Sequence, residues 1–142
     1  ILNGNKHLSI TSLPAMPTPR DWQKIIANSF LAITYISALT CLLRSDYNFP
    51  FSLFMYYIWT LKPDLDSNKL LMVTTGILIF VDIIWLSTVG PIWTTKIANN
   101  EIWNSFHGAH VFNIFLSSIS VFIKVGIVGG LFLLRGNKEE QM

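Results

Sequence analysis

Asp82 and Lys124 are the residues with the most chemistry to offer, because each interrupts an otherwise apolar stretch, 70–90 and 111–134 respectively. An isolated charge at the centre of a membrane span costs at least about 2.5–3.5 kcal/mol even on lenient scales, so each demands compensation. Counted from the ends that antiparallel helices would share, Asp82 lies about 18 Å deep and Lys124 about 15 Å. A lysine side chain covers that difference, and the spacing predicts an ion pair. Asn113, Ser117, Ser120 and Lys124 fall at i, i+4, i+7 and i+11, one narrow stripe of a helix, and Thr75 shares a face with Asp82. The expected result is a hydrogen-bonded seam, closed by Asp82 and Lys124, that satisfies every buried group. Such a seam could relay a proton or an ion, or could permanently fix helix register. One acid and one base, without a chain of further titratable groups, favour the permanent pair.

Other residue patterns carry less chemistry. Gly126 and Gly130, with Gly129 beside them, lie on the far side of the same helix as Lys124 and would let another backbone approach closely. Thr34, Ser37, Ala38 and Cys41 offer a complementary small face on an earlier apolar stretch, and the contact could lie within the molecule or with another subunit. His107 and His110 have the spacing of a shared helix face, but two ligands do not make a metal site and only Glu101 lies near to complete one. No metal or other cofactor is therefore expected. Cys41 is the sole cysteine, which excludes an internal disulfide framework and leaves a buried small residue or a palmitoylated thiol. No nucleotide loop, nucleophile motif or paired carboxylate is present, so the expected function is not enzymatic.

The elements that would position these residues follow from composition. Hydrophobic residues make up 51% of the 142, charged residues only 13%, and the mean hydropathy is +0.48. Soluble domains carry about a quarter charged residues, so this is the composition of a chain that sits in lipid. The net charge of +2 is spread along the chain and leaves no footprint for nucleic acid. Charged residues punctuate four apolar stretches at 25–43, 49–61, 70–90 and 111–134. The expected fold is all-α, a polytopic transmembrane helical bundle of four spans, or three if the aromatic 49–61 stretch does not cross.

Between the spans, 44–48 and 62–68 read as polar hairpin connectors, and 91–110 reads as a loop at the membrane interface that includes a short surface helix. Trp59, Trp93 and Trp103 are expected as interfacial anchors. Residues 1–24, with Pro14, Pro17 and Pro19, read as an extended arm, and 135–142 as a short tail. With four spans, Lys6, Arg20, Lys24, Lys62, Lys69, Arg135 and Lys138 fall on one side and only Arg44 and Lys96 on the other, which places both termini in the cytosol or its equivalent.

Trp59, the polar turn after it and the run Phe80-Val81-Asp82-Ile83-Ile84-x-Leu86-Ser87 resemble the type 1 angiotensin II receptor-associated protein family of small polytopic membrane proteins. Ile119-Ser120-Val121-Phe122-Ile123-Lys124 resembles that family's last span, including a serine four residues before a lysine. The similarity covers roughly residues 22–135. It implies a non-enzymatic adaptor of the endoplasmic reticulum, Golgi and vesicles that binds a partner membrane protein and influences its trafficking. The family's long cytosolic tail is here reduced to 135–142, and the amino-terminal arm is longer, so receptor regulation does not carry over. Two other functions fit the residues. One is an accessory subunit of a large membrane assembly, such as a respiratory complex or ATP synthase of the mitochondrial inner membrane, where neighbours would shield the aromatic second stretch. The other is an ion or proton pathway through Asp82 and Lys124. In each case the expected partners are the lipid bilayer and other integral membrane proteins.

Overall fold

The computed structural model describes residues 18–62 and 64–139, and among these every regular element is a helix. They are α1 (Pro19–Thr40), α2 (Asn48–Leu61), α3 (Leu65–Thr94), α4 (Glu101–Ser105) and α5 (His107–Glu139). Most of the expected arm, residues 1–17, lies outside the described residues. Its last part is helix instead of extended chain. Thr18 caps α1, its Oγ1 accepting from the Asp21 amide at 3.3 Å while Asp21 Oδ2 accepts from the Thr18 amide at 3.0 Å. Pro19 occupies the first helical turn, where no N–H is needed and the fixed φ suits a helix, so the proline read as a breaker is a starter.

The other boundaries also shift. α1 stops at Thr40, three residues short of the expected span. Asp64 Oδ1 accepts from the Ser67 amide at 2.8 Å and starts α3 five residues early. Pro91 lies inside α3, whose last turn continues to Thr94. α5 begins at His107 and runs through most of the expected tail to Glu139. The loop of 91–110 thus shrinks to a short connection around α4, with Asn99 in the left-handed region (φ 61°) that asparagine tolerates.

Four helices form an up-down-up-down bundle. Asn68 with Leu131 and Asp82 with Lys124 align α3 and α5 antiparallel. Thr34 with Ser52 and Trp59 with Gln23 do the same for α1 and α2. Asn113 reaches the Thr40 carbonyl, which sets α1 antiparallel to α5. The buried positions follow the spacing of a bundle seam. On α5 they are Asn113, Ser117, Ser120, Lys124, Ile127, Leu131 and Leu134; on α3, Asn68, Leu71, Thr75, Leu78 and Asp82; on α2, Asn48, Ser52, Met55 and Trp59.

Among the described residues two helices are long and apolar enough to cross a membrane, within Asp66–Thr94 and His107–Gly136. That is fewer than the four expected. α2 has 14 residues, about 21 Å of helix against roughly 30 Å of hydrocarbon. α1 is long enough, but Gln23, Lys24, Asn28 and Ser29 dilute its apolar character.

Candidate functional site

The seam residues from Thr34 to Thr40, Asn48 to Ser52, and Asn113 to Lys124 gather in one half of the bundle and make its core polar. The α1–α2 connection closes this half. α2 starts level with Asp82, well inside the ends of α3 and α5, so Arg44, Asp46 and Tyr47 of the connection turn inward while Cys41, Leu42, Leu43 and Ser45 stay exposed.

Lys124 and Asp82 form an ion pair at the centre, 2% and 4% exposed. Lys124 Nζ also donates to Asn48 Oδ1 at 2.5 Å, while Asp82 Oδ1 accepts from the Tyr47 hydroxyl at 2.5 Å and from Asn48 Nδ2 at 3.1 Å. A second acid and base stand one layer away. Asp46 Oδ2 accepts from Thr40 Oγ1 at 2.6 Å and lies 3.9 Å from Arg44 Nη2, and Asp46 Oδ1 caps the Asn48 amide at 3.0 Å. Arg44 in turn donates to Ser117 Oγ at 3.4 Å and lies over the Trp85 ring, 3.5 Å from its centroid. Asn113 Nδ2 ties α5 to the Thr40 carbonyl at 3.2 Å. Two acids and two bases balance, and each charge is held by hydrogen-bonding neighbours, the condition for keeping charges in a low dielectric.

Of the seam expected from sequence, Asp82, Lys124, Asn113, Ser117 and Ser120 come together, but the seam is not the closed α3–α5 arrangement envisaged. Thr75 faces α2, its hydroxyl 3.7 Å from Met55 Sδ. Ser120 Oγ and Ser37 Oγ are buried without a hydrogen-bond partner among the described residues, so not every buried group is satisfied. Arg44, Asp46, Tyr47 and Asn48 belong to the segment expected as a polar hairpin connector, and they are part of the polar core instead. The brevity of the 49–61 stretch is the signal that could have found them: a helix of 14 residues between longer neighbours brings its preceding connection level with their middles instead of their ends.

The packing face divides. A Cβ on Gly130 would meet the Ile26 side chain of α1 at 3.5 Å, which makes Gly130 an internal contact. Gly126 and Gly129 have open space before them, with no described residue within 4 Å of an added Cβ. Thr34 and Ser37 are buried, whereas Ala38 and Cys41 face outward, because α1 turns its seam to Thr40 one residue before Cys41. Trp59 is not an interfacial anchor. It is buried in the opposite, apolar half, its Nε1 donating to the Gln23 carbonyl at 3.0 Å. Trp93 and Trp103 do gather at a bundle end, on either side of His110, with ring centroids 4.7 and 4.6 Å away. His107 and His110 gain no third ligand: among the described residues no three histidine, cysteine or carboxylate side chains come together.

Comparison with protein-family models, with curated protein sequences and with solved structures finds no match.

Proposed function

We propose that this chain is a non-enzymatic integral membrane protein, an adaptor or scaffold that binds other membrane proteins through its helix faces. The observation that carries the proposal is an inverted distribution of polarity. The ionised pair and its neighbours point inward, while Phe54, Tyr57, Phe80, Phe115, Phe122 and Phe132 are more than half exposed on the outside. Water is a poor solvent for such an exterior, and exposed apolar area on this scale marks lipid or protein contact. α3 and α5 supply the crossing pair, and α1 with α2 complete a four-helix membrane domain that they hold in register. The sealed, charge-balanced interior supports a structural part for Asp82 and Lys124. The apolar half, with Phe30, Ile33, Leu71, Ile127 and Leu131 fully buried, blocks a continuous polar path and weighs against ion conduction. The resemblance to the angiotensin receptor-associated family supports an endomembrane adaptor.

One observation favours an accessory subunit of a larger membrane complex as the second function. α2 is too short to span, yet turns Phe51, Phe54 and Tyr57 outward, a face that neighbouring subunits would cover. Extraction of membranes with alkaline carbonate, followed by native electrophoresis in mild detergent, tests both. Retention in the membrane and co-migration with another integral membrane protein are the expected results, with organelle fractionation separating endomembrane from mitochondrial partners. Release by carbonate would overturn the membrane assignment. Migration as a lone monomer that conducts ions in liposomes would overturn the adaptor.

A further inference from the structure

Away from the polar half, the opposite end of the bundle carries a cavity of about 240 Å³ between α1 and α2, lined by Arg20, Gln23, Lys24, Ala27, Trp59 and Thr60. Its rim is cationic. Arg20 and Lys24 stand one helical turn apart on α1, and neither forms an ion pair or a side-chain hydrogen bond among the described residues. The acid beside them, Asp21, is already bound to Thr18 by its hydroxyl and its amide. Lys62 and Lys69 belong to the same end, where Lys62 is paired with Asp64 at 3.7 Å and Asp66 adds a second acid, so the free positive charge is that of Arg20 and Lys24. The floor is apolar, since Trp59 has its indole N–H turned to the Gln23 carbonyl.

A second cavity runs along the outer side of α2, about 590 Å³, lined by Phe49, Pro50, Leu53, Phe54, Tyr56 and Tyr57 and almost wholly apolar. The two share one helix face. Thr60 lies three and four residues beyond Tyr57 and Tyr56, and Leu53 and Phe49 continue that face toward the middle of the bundle. The basic pocket at the helix end and the apolar groove thus lie in succession along one side of α2. Pockets enclosing a whole small molecule measure roughly 300–1,000 Å³, so the basic pocket by itself takes a headgroup and no more.

We propose that these two cavities form one site for an anionic phospholipid, Arg20 and Lys24 binding the phosphate and the α2 groove holding an acyl chain. The proposal rests on the membrane assignment above. A guanidinium and an ammonium present convergent donors to phosphate oxygens, Gln23 adds an amide donor, and Trp59 covers the glycerol end. Zwitterionic lipid offers the same phosphate but brings a choline cation toward the two basic side chains. Free phosphate satisfies the basic pocket and leaves the groove empty.

Native mass spectrometry of the full chain in neutral detergent is the test, with dioleoyl phosphatidylglycerol, dioleoyl phosphatidylcholine and inorganic phosphate as probes. Phosphatidylglycerol should be retained at least about tenfold more than phosphatidylcholine. Removing both charges in Arg20→Gln/Lys24→Gln should cost about 10- to 30-fold, given the usual worth of a basic residue near an anionic lipid surface. Lys24→Arg should keep binding, and Leu53→Asn should weaken lipid binding through the groove with Arg20 and Lys24 intact. Circular dichroism checks that each variant remains helical, and these exposed positions carry no core packing. Equal retention of the two lipids, or unchanged binding by the double glutamine variant, would overturn the site. Displacement of the lipid by millimolar phosphate would show an anion pocket and overturn the lipid. If carbonate releases the chain from membranes, the membrane assignment has failed; a membrane-embedded chain that binds both lipids alike fails on this site alone.

Discussion

The two halves of the bundle core are built on the same seam and filled by opposite chemistry. Toward the start of α1, Ile26, Phe30, Ile33, Met55, Trp59, Leu71, Ile127, Leu131 and Leu134 pack together, with Asn68 and Thr75 the buried polar exceptions. Toward the α1–α2 connection, the same helix faces carry Thr34, Ser37, Thr40, Asn48, Ser52, Asp82, Asn113, Ser117, Ser120 and Lys124. Lipid tails are as apolar as leucine, so in a membrane the first half gains little from leaving its surroundings and depends on close packing. The second half is directional, because each donor must find its own acceptor. Its charges make register an all-or-none matter: sliding α5 by one turn on α3 would leave an acid and a base separately unpaired in low dielectric. The apolar half therefore holds the helices together, and the polar half decides which of the possible packings is adopted.

The largest effect is expected where one partner of the central pair is removed. Asp82→Asn strands Lys124 as a charge with only Asn48 for company and should cost about 3–5 kcal/mol, read as a fall in thermal midpoint in detergent. Lys124→Met leaves Asp82 still accepting from the Tyr47 hydroxyl and Asn48 Nδ2, so it should cost less. The double change Asp82→Leu/Lys124→Met removes both charges and should recover part of the loss. Full recovery is not expected, because Tyr47 and Asn48 lose their acceptor. Strict additivity of the single changes would show that the two charges act independently, and the contrast between the halves would fall.

In the apolar half the loss should depend on volume alone. Leu131, fully buried between helices, should cost about 2–5 kcal/mol as Leu131→Ala, and Leu131→Met should cost under about 1.5. No such graded series exists for Asp82, where Asp82→Glu and Asp82→Asn differ in charge and reach instead of volume. A cost for Leu131→Met as large as for Leu131→Ala would mean that this half is as position-specific as the polar one.

How far these halves were legible in sequence differs in the same way. The ion pair and the α5 stripe could be read because an intramembrane charge has few escapes, and residues at i, i+4, i+7 and i+11 can face only one way. The apolar half could not, since Ile127 inside the bundle and Val125 outside it are equally hydrophobic and nothing local distinguishes a lipid neighbour from a protein one. Trp59 shows the error this allows: an indole near a span end was taken for an interfacial anchor and is a core residue. The Arg44–Asn48 segment failed for another reason. Charge and turn residues between two apolar runs normally mark exposed loops, and only the depth at which α2 begins reverses that inference.

Smaller effects come from the glycines of α5. Gly130→Leu must place its side chain where Ile26 and Trp22 already lie, 3.5 and 3.7 Å from the first added carbon, and should cost about 1–3 kcal/mol by overpacking. A Cβ at Gly126 meets no described residue, so Gly126→Leu should cost the isolated chain nothing and should gain up to about 1 kcal/mol from helix propensity. Loss of a co-purifying partner from Gly126→Leu at undiminished stability would place an external contact on that face. Equal damage from both changes would instead mean that α5 is rotated from the seam described.

The smallest effect is a pH dependence, expected at the helix starts. Asp21 is held below the ordinary carboxylate value of 3.8 by the hydroxyl and then the amide of Thr18, and Asp64 by the amide and then the hydroxyl of Ser67. Because each carboxyl binds its proton less readily folded than unfolded, its contribution is fully present above pH 3.8 and fades as pH falls through the lower folded value. Both groups are exposed, so the change should be confined to the first turns of α1 and α3. Hydrogen exchange at the Asp21 and Ser67 amides, followed from about pH 5 to about pH 2, should quicken beyond the intrinsic trend while the α5 amides around Lys124 stay protected. Asp64→Asn supplies the control, since asparagine is an equally good cap that does not titrate, and should keep the Ser67 amide protected across the same window. If protection around Lys124 fails together with that of the first turns, the acid sensitivity is not confined to the exposed caps, and the polar half is not the part that sets register.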